Sequence, residues 1–119
     1  MIKVTYSKDR DKRECFLRVN GHAGQAEIGK DIVCASASIL TYTVAKEIKD
    51  MELRGQLAQT PRIELESGDA VIECKAASAD AYEEILHTFY VVCIGYRLLA
   101  QNYPQYVEYL ADYHRWKGE

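Results

Sequence analysis

Two residues in the first third of the chain, His22 and Cys34, offer the plainest chemistry in the sequence. A thiol attacks carbonyl carbon in its thiolate form, and an imidazole in hydrogen-bond reach is well matched to take its proton at neutral pH. Between them lies Gly21-His22-Ala23-Gly24-Gln25-Ala26-Glu27-Ile28-Gly29-Lys30, whose glycines mark a pliable loop. Asp31 is a good N-cap for the helical pattern that follows, which puts Cys34 near the third helical position, in the first turn. There it would lie in the positive field of a helix N-terminus and beside free backbone N–H groups. An ordinary thiol, with a pKa of about 8.5, is only a few per cent ionised at neutral pH, and such surroundings lower that value. Without further support, a cysteine and a histidine this close in sequence are more often structural than catalytic.

The support is the pattern around them. Gly21-His22-Ala23-Gly24, followed by Gly29-x-Asp31-Ile32-Val33-Cys34-Ala35-x-x-Ser38, resembles the signature of the ribosomal-processing cysteine protease (Prp) family. The likeness in length and order of elements extends to about Tyr103. It implies that His22 and Cys34 are the catalytic dyad of a small bacterial homodimeric cysteine endopeptidase. Its substrate would be a large-subunit ribosomal protein precursor, relieved of a short N-terminal extension by cleavage after an aromatic residue, commonly Phe. A prophage-encoded relative acting on a phage structural protein would fit the same signature.

The mechanism implied is acyl transfer. Cys34 attacks the scissile carbonyl, His22 moves the proton from thiol to leaving amine, and water resolves the thioester. Free N–H groups at the helix N-terminus, that of Cys34 included, would stabilise the oxyanion. Gly21, Asp31 and Ser38 are supporting residues in this reading. Asp31 is open to two roles, N-cap or orienter of His22; Ser38, one turn above Cys34, either leaves room for an extended substrate or packs the helix. The competing function is that of a noncatalytic protein-binding or ribosome-assembly module, in which no thiol would stand out. His87 and His114 are weaker candidates for the base, placed on the second helix and in the tail.

At 119 residues the chain is one domain, able to bury about two-thirds of the surface its unfolded form exposes. A net charge of −3 argues against a sequence-independent grip on nucleic acid, which needs a basic face. The N-terminus lacks an apolar signal-like run and no stretch is long enough to span a bilayer, so a soluble cytoplasmic protein is expected. The cysteines at 15, 34, 74 and 93 include no Cys-x-x-Cys unit; reduced thiols are expected, with no disulfide, metal or cofactor.

The elements that must position the dyad follow from periodicity. Ile2, Val4 and Tyr6 alternate as a strand; a charged connection leads to a second strand with Cys15, Leu17 and Val19 inward. Val33, Ala37, Leu40, Val44, Ile48 and Met51 mark the core face of a long helix ending near Gly55. Ile63 and Leu65, the turn Ser67-Gly68-Asp69, and Val71, Ile72 and Cys74 form a second strand pair. Asp80 is expected to cap a second helix with Tyr82, Leu86, Phe89, Cys93, Tyr96 and Ala100 in its stripe. Tyr90, Val91, Ile94 and Leu98 lie outside that stripe and call for cover by a second subunit or by the C-terminal segment. The order ββα-ββα predicts an α+β fold, a mainly antiparallel four-stranded sheet packed with two long helices. The protease-like domain is placed at residues 1–103. Residues 104–119, beyond the Pro104 break, are expected as a helical tail packing on the same domain or on a partner subunit, from the spacing of Tyr106, Tyr109, Leu110, Tyr113 and Trp116.

Overall fold

A computed structural model of the chain describes residues 1–23 and 28–112, with residues 28–31 and 112 described by their backbone alone. The elements are β1 (Ile2–Asp9), β2 (Glu14–Asn20), α1 (Ile28–Leu53), β3 (Arg62–Glu66), β4 (Asp69–Lys75), α2 (Ala79–Asn102) and β5 (Val107–Asp112). The strands form one sheet in the order β3-β4-β2-β1-β5. All neighbouring pairs are antiparallel except β1 with β5, which is parallel.

Alternation along the strands decides which face meets the helices. Val4 stands opposite Val19, and Tyr6 opposite Leu17, while Leu17 faces Ile72 and Cys15 faces Cys74 on the next strand. These side chains join Val33, Val44, Ile48 and Met51 of α1 and Ile85, Phe89 and Tyr96 of α2 in one core. The Tyr6 and Phe89 rings stack at 5.5 Å between centroids, tying β1 to α2. The two helices also pack on each other, with Leu40 seated over Gly95, where any Cβ would collide with it. Burial of the large side chains in this core is the main source of stability, at about 25 cal/mol per Å² of apolar surface.

The helix stripes read from the sequence fall largely on the buried faces, with Val33, Val44 and Ile48 fully buried. On α2, however, Ile85, Val92 and Leu99 are buried where the spacing predicts Leu86 and Ala100, and those two are only partly buried. The caps differ. Ser78, not Asp80, is the N-cap of α2: its side chain accepts from the Ala81 N–H at 3.1 Å, leaving Asp80 in the first turn, where its negative charge complements the positive end of the helix dipole. Helix α1 begins at Ile28, so Asp31 lies inside the helix and is not its N-cap. The pliable loop expected from Gly21 to Lys30 is correspondingly shorter, since its last three residues are helical; residues 24–27 lie outside those described.

The tail is the larger correction. Residues 107–112 form a fifth strand and not a helix, and the sheet is therefore five-stranded and mixed. Val107 and Tyr109 face the core beside Ile2 and Val4, with Glu108 and Leu110 on the opposite face. Six residues are too few for aromatic spacing alone to separate a period of two from one of 3.6. What decides is the outer edge of β1, whose backbone N–H and C=O groups gain partners from β5. The expected continuation through Tyr113, His114 and Trp116 lies outside the described residues.

Candidate active site

Strand β2 ends at Asn20, and the backbone turns at once through Gly21, whose φ of 98° belongs to the left-handed region that glycine tolerates. The turn brings His22 to the end of the sheet. Its carbonyl oxygen accepts a bond of 2.6 Å from the Met1 nitrogen, and Gly21 N–H donates to the Gly68 carbonyl at 2.8 Å. His22 is thereby held between the start of β1 and the β3–β4 turn, with its ring exposed.

Across from it, Cys34, Ala37, Ser38, Thr41 and Tyr42 project from α1 into one cleft of about 340 Å³. Their spacing of three and four is that of a single helix face, so the sequence of α1 alone aligns them. The other wall is the β3–β4 hairpin from Leu65 to Ala70, and Ile2, Val19, Gly21 and His22 complete the lining. The structure brings His22, Cys34, Ser38 and Gly21 to this one cleft. Nothing is described of the Asp31 side chain, and its backbone lies one helical turn before Cys34.

Cys34 is the seventh residue of α1 as it runs from Ile28, placing it beyond the first turn expected for it. Only the N-cap and first three helical residues have N–H groups without an intrahelical acceptor, so the Cys34 amide is committed to the helix. An oxyanion formed beside Cys34 would therefore need donors other than that amide.

Cys34 is half-buried and borders the cleft, whereas Cys15, Cys74 and Cys93 are buried; all four thiols are free. Burial pushes the Cys15 thiol up to about 12, although the Tyr6 hydroxyl 3.6 Å away draws it down. Burial likewise raises Cys74 and Cys93, the latter offset by a hydrogen bond with Tyr109 and by the Arg97 charge. Three thiols are thus kept protonated and enclosed, and one opens on a cleft shared with a histidine. His87 is exposed in a shallow polar groove with Glu83 and Glu84, away from the cleft, and His114 lies outside the described residues. Among the described residues no group of three His, Cys, Asp or Glu side chains is arranged to hold a metal ion.

The hairpin wall was not visible as part of the site. Ser67-Gly68-Asp69 carries clear turn chemistry, but its position beside His22 depends on the pairing of Asn20 with Asp69 across the sheet. Thr41 and Tyr42 could have been found, since they continue the face that carries Cys34 and Ser38 by one further turn.

Comparison with known proteins places these features in context. A family profile described as Cysteine protease Prp matches residues 1–108. No match was found among curated protein sequences. Among solved structures, the Staphylococcus aureus ribosomal processing protease Prp with a covalently linked product peptide superposes with a TM-score of 0.67 at 23% identity, over 94% of this chain and 100% of that one. The same protease with a substrate peptide gives 0.66 at 18% identity, again over 94% and 100%. SMU.848 from Streptococcus mutans gives 0.65 at 23% identity, over 93% of each chain. At these identities the likeness establishes the shared fold.

Proposed function

Since the chain belongs to the Cysteine protease Prp family, we propose that the cleft between α1 and the β3–β4 hairpin is its peptidase site, with Cys34 as nucleophile and His22 as general base and acid. The observation that carries this reading is that His22 and the accessible thiol line the same cleft, while the other cysteines are buried. Cys34 Sγ forms a bond to the scissile carbonyl carbon as His22 takes the thiol proton. The tetrahedral intermediate then collapses to a thioester, and the departing amine receives the proton from His22. Water, deprotonated by His22, attacks the thioester and releases the new carboxylate with the thiol restored.

The substrate is a ribosomal protein precursor of the large subunit carrying an N-terminal extension, and the compartment is the cytoplasm where ribosomes are assembled. A matching protein is named a ribosomal processing protease, and two of its structures hold peptides. Leu65 and the Tyr42 ring offer exposed apolar surface in a cleft that also carries Ser38, Glu66, Ser67 and Asp69, consistent with an extended chain bearing a large apolar residue. Ser38 is small and exposed one turn above Cys34, leaving space for the peptide. No helix among the described residues is long and apolar enough to cross a membrane.

The functional unit is a homodimer. Tyr90, Val91, Ile94 and Leu98 of α2 are between 36% and 58% exposed, on a helix whose opposite face is already in the core. Such a second apolar face favours association with another subunit.

The direct test is incubation with a ribosomal-protein extension peptide, read by mass spectrometry for the native protein and Cys34→Ala. A single cleavage that disappears in Cys34→Ala is expected. Equal cleavage by the two proteins would remove Cys34 from the mechanism.

A further inference from the structure

We propose that Gly68, at the tip of the β3–β4 hairpin, is a positioning residue for His22, its missing side chain being the seat in which the imidazole lies. This inference rests on the assignment of His22 and Cys34 as the dyad.

A Cβ built on Gly68 would meet the Nε2 edge of the His22 ring: it collides with Nε2, comes within 2.7 Å of Cε1 and lies 3.2 Å from Cδ2. The Nε2 edge of the imidazole therefore lies against Gly68, with no space between them for a side chain. That backbone is held from two sides. Gly21 N–H donates to the Gly68 carbonyl, and the neighbouring Asp69 carboxylate accepts two bonds from the Arg18 guanidinium at 2.9 and 3.1 Å. Strand pairing of Asn20 with Asp69 completes the connection between the end of β2 and the hairpin.

The His22 backbone has little freedom to yield to a side chain at Gly68. Its carbonyl is bonded to the Met1 nitrogen, and Gly21 before it lies so close to the Met1 carbonyl that it too has no room for a Cβ. A substituent at Gly68 must therefore move the ring through its side-chain torsions. Displacement of a catalytic group by about 1 Å can cost on the order of 100-fold in rate. Gly68 also has a φ of +78°, so a substitution combines backbone strain with the collision.

The two effects separate by means of Gly55, which has nearly the same φ, +75°, but open space around its Cβ position. Gly55→Ala introduces the strain alone. Gly68→Asn introduces the collision with less strain, because asparagine tolerates the left-handed region. The experiment compares Gly68→Ala, Gly68→Asn, Gly55→Ala and His22→Ala by thermal melting, by kcat and KM on the extension peptide, and by iodoacetamide alkylation of Cys34 across pH without peptide.

Both Gly68 variants are expected to lower kcat by about 10- to 100-fold and to move the alkylation pH profile toward that of His22→Ala. Gly55→Ala should melt earlier yet retain the native kcat and profile. The alkylation profile reports the coupling of ring and thiol with no substrate present, so impaired peptide binding alone would leave it unmoved. Native kcat and profile in Gly68→Asn, with cleavage lost in His22→Ala, would overturn the positioning role alone. Native cleavage in His22→Ala would overturn the dyad assignment and the positioning role with it.

Discussion

The hydroxyls of Thr41 and Tyr96 meet at 2.7 Å beneath the cleft, joining the face of α1 that carries Cys34 to the buried side of α2. Thr41 also donates to the Ala37 carbonyl at 2.8 Å. A threonine hydroxyl has one proton, so Tyr96 must be the donor in the contact between the two. Both groups are buried, and burial raises the Tyr96 phenol well above its ordinary range, which keeps that donor protonated.

Removing one partner from this pair should cost more than removing both. Tyr96→Phe leaves the Thr41 oxygen short of a donor, and Thr41→Val leaves the Tyr96 hydroxyl without an acceptor; each is expected to destabilise by about 1–3 kcal/mol. The double variant should be more stable than the sum of the two losses implies. Denaturant unfolding of the four proteins completes the cycle, and strict additivity would show that the bond contributes nothing of its own.

The thiols should differ sharply in reactivity. Brief iodoacetamide treatment of the native protein at neutral pH is expected to label Cys34 first, with peptide cleavage lost in step. Cys15, Cys74 and Cys93 should react only on unfolding, because burial both encloses them and disfavours their thiolates. Cys34→Ser should keep the fold but lose turnover, a serine hydroxyl being far less acidic than a thiol. Peptide mapping after the reaction checks the order, and labelling spread evenly over the four residues would contradict it.

Much of this arrangement is legible in the chain itself. The Gly21-His22 and Cys34 pattern could be recognised because the motif lies within one loop and the start of one helix, and α1 and α2 could be drawn from stripes such as Val33, Val44 and Ile48. The parts that escaped are those decided at long range. Val107 to Asp112 became a strand because the edge of β1 was available, a fact absent from the local pattern of Tyr106 and Tyr109. Asp31 is a strong capping residue, but the helix reaches back to Ile28, and propensity at one position does not fix a boundary. Gly68 looked like turn chemistry alone because its neighbour, His22, is distant in sequence.

The buried thiols also predict a loss of stability at alkaline pH. Cys15 titrates near 12 when folded, against about 9 for an exposed thiol, so between those values the unfolded chain releases a proton that the folded chain retains. Its contribution is fully present below about pH 9 and is lost progressively up to about pH 12, at roughly 1.4 kcal/mol per pH unit at most. Cys74 and Cys93 act in the same direction. Denaturation midpoints should fall steeply above pH 9, and Cys15→Ala should show a shallower fall from a lower starting stability. An unchanged slope in that variant would assign the alkaline loss to other groups.

The apolar face of α2 provides the last prediction. Tyr90, Val91, Ile94 and Leu98 recur at helical spacing on the side of the helix turned away from Phe89 and Tyr96. Leaving such a face in water costs about 25 cal/mol per Å², and a stable association covers about 800 Å² on each partner. The native protein is therefore expected to scatter light as a dimer at micromolar concentration. Val91→Glu combined with Leu98→Glu should give a monomer with the secondary structure retained, because both side chains are about half exposed within one subunit and are not needed by its core. A carboxylate buried without a partner at the interface would be strongly unfavourable, so dissociation should relieve it. A monomer mass for the native protein, or a dimer that persists in the double variant, would rule this surface out as the subunit contact.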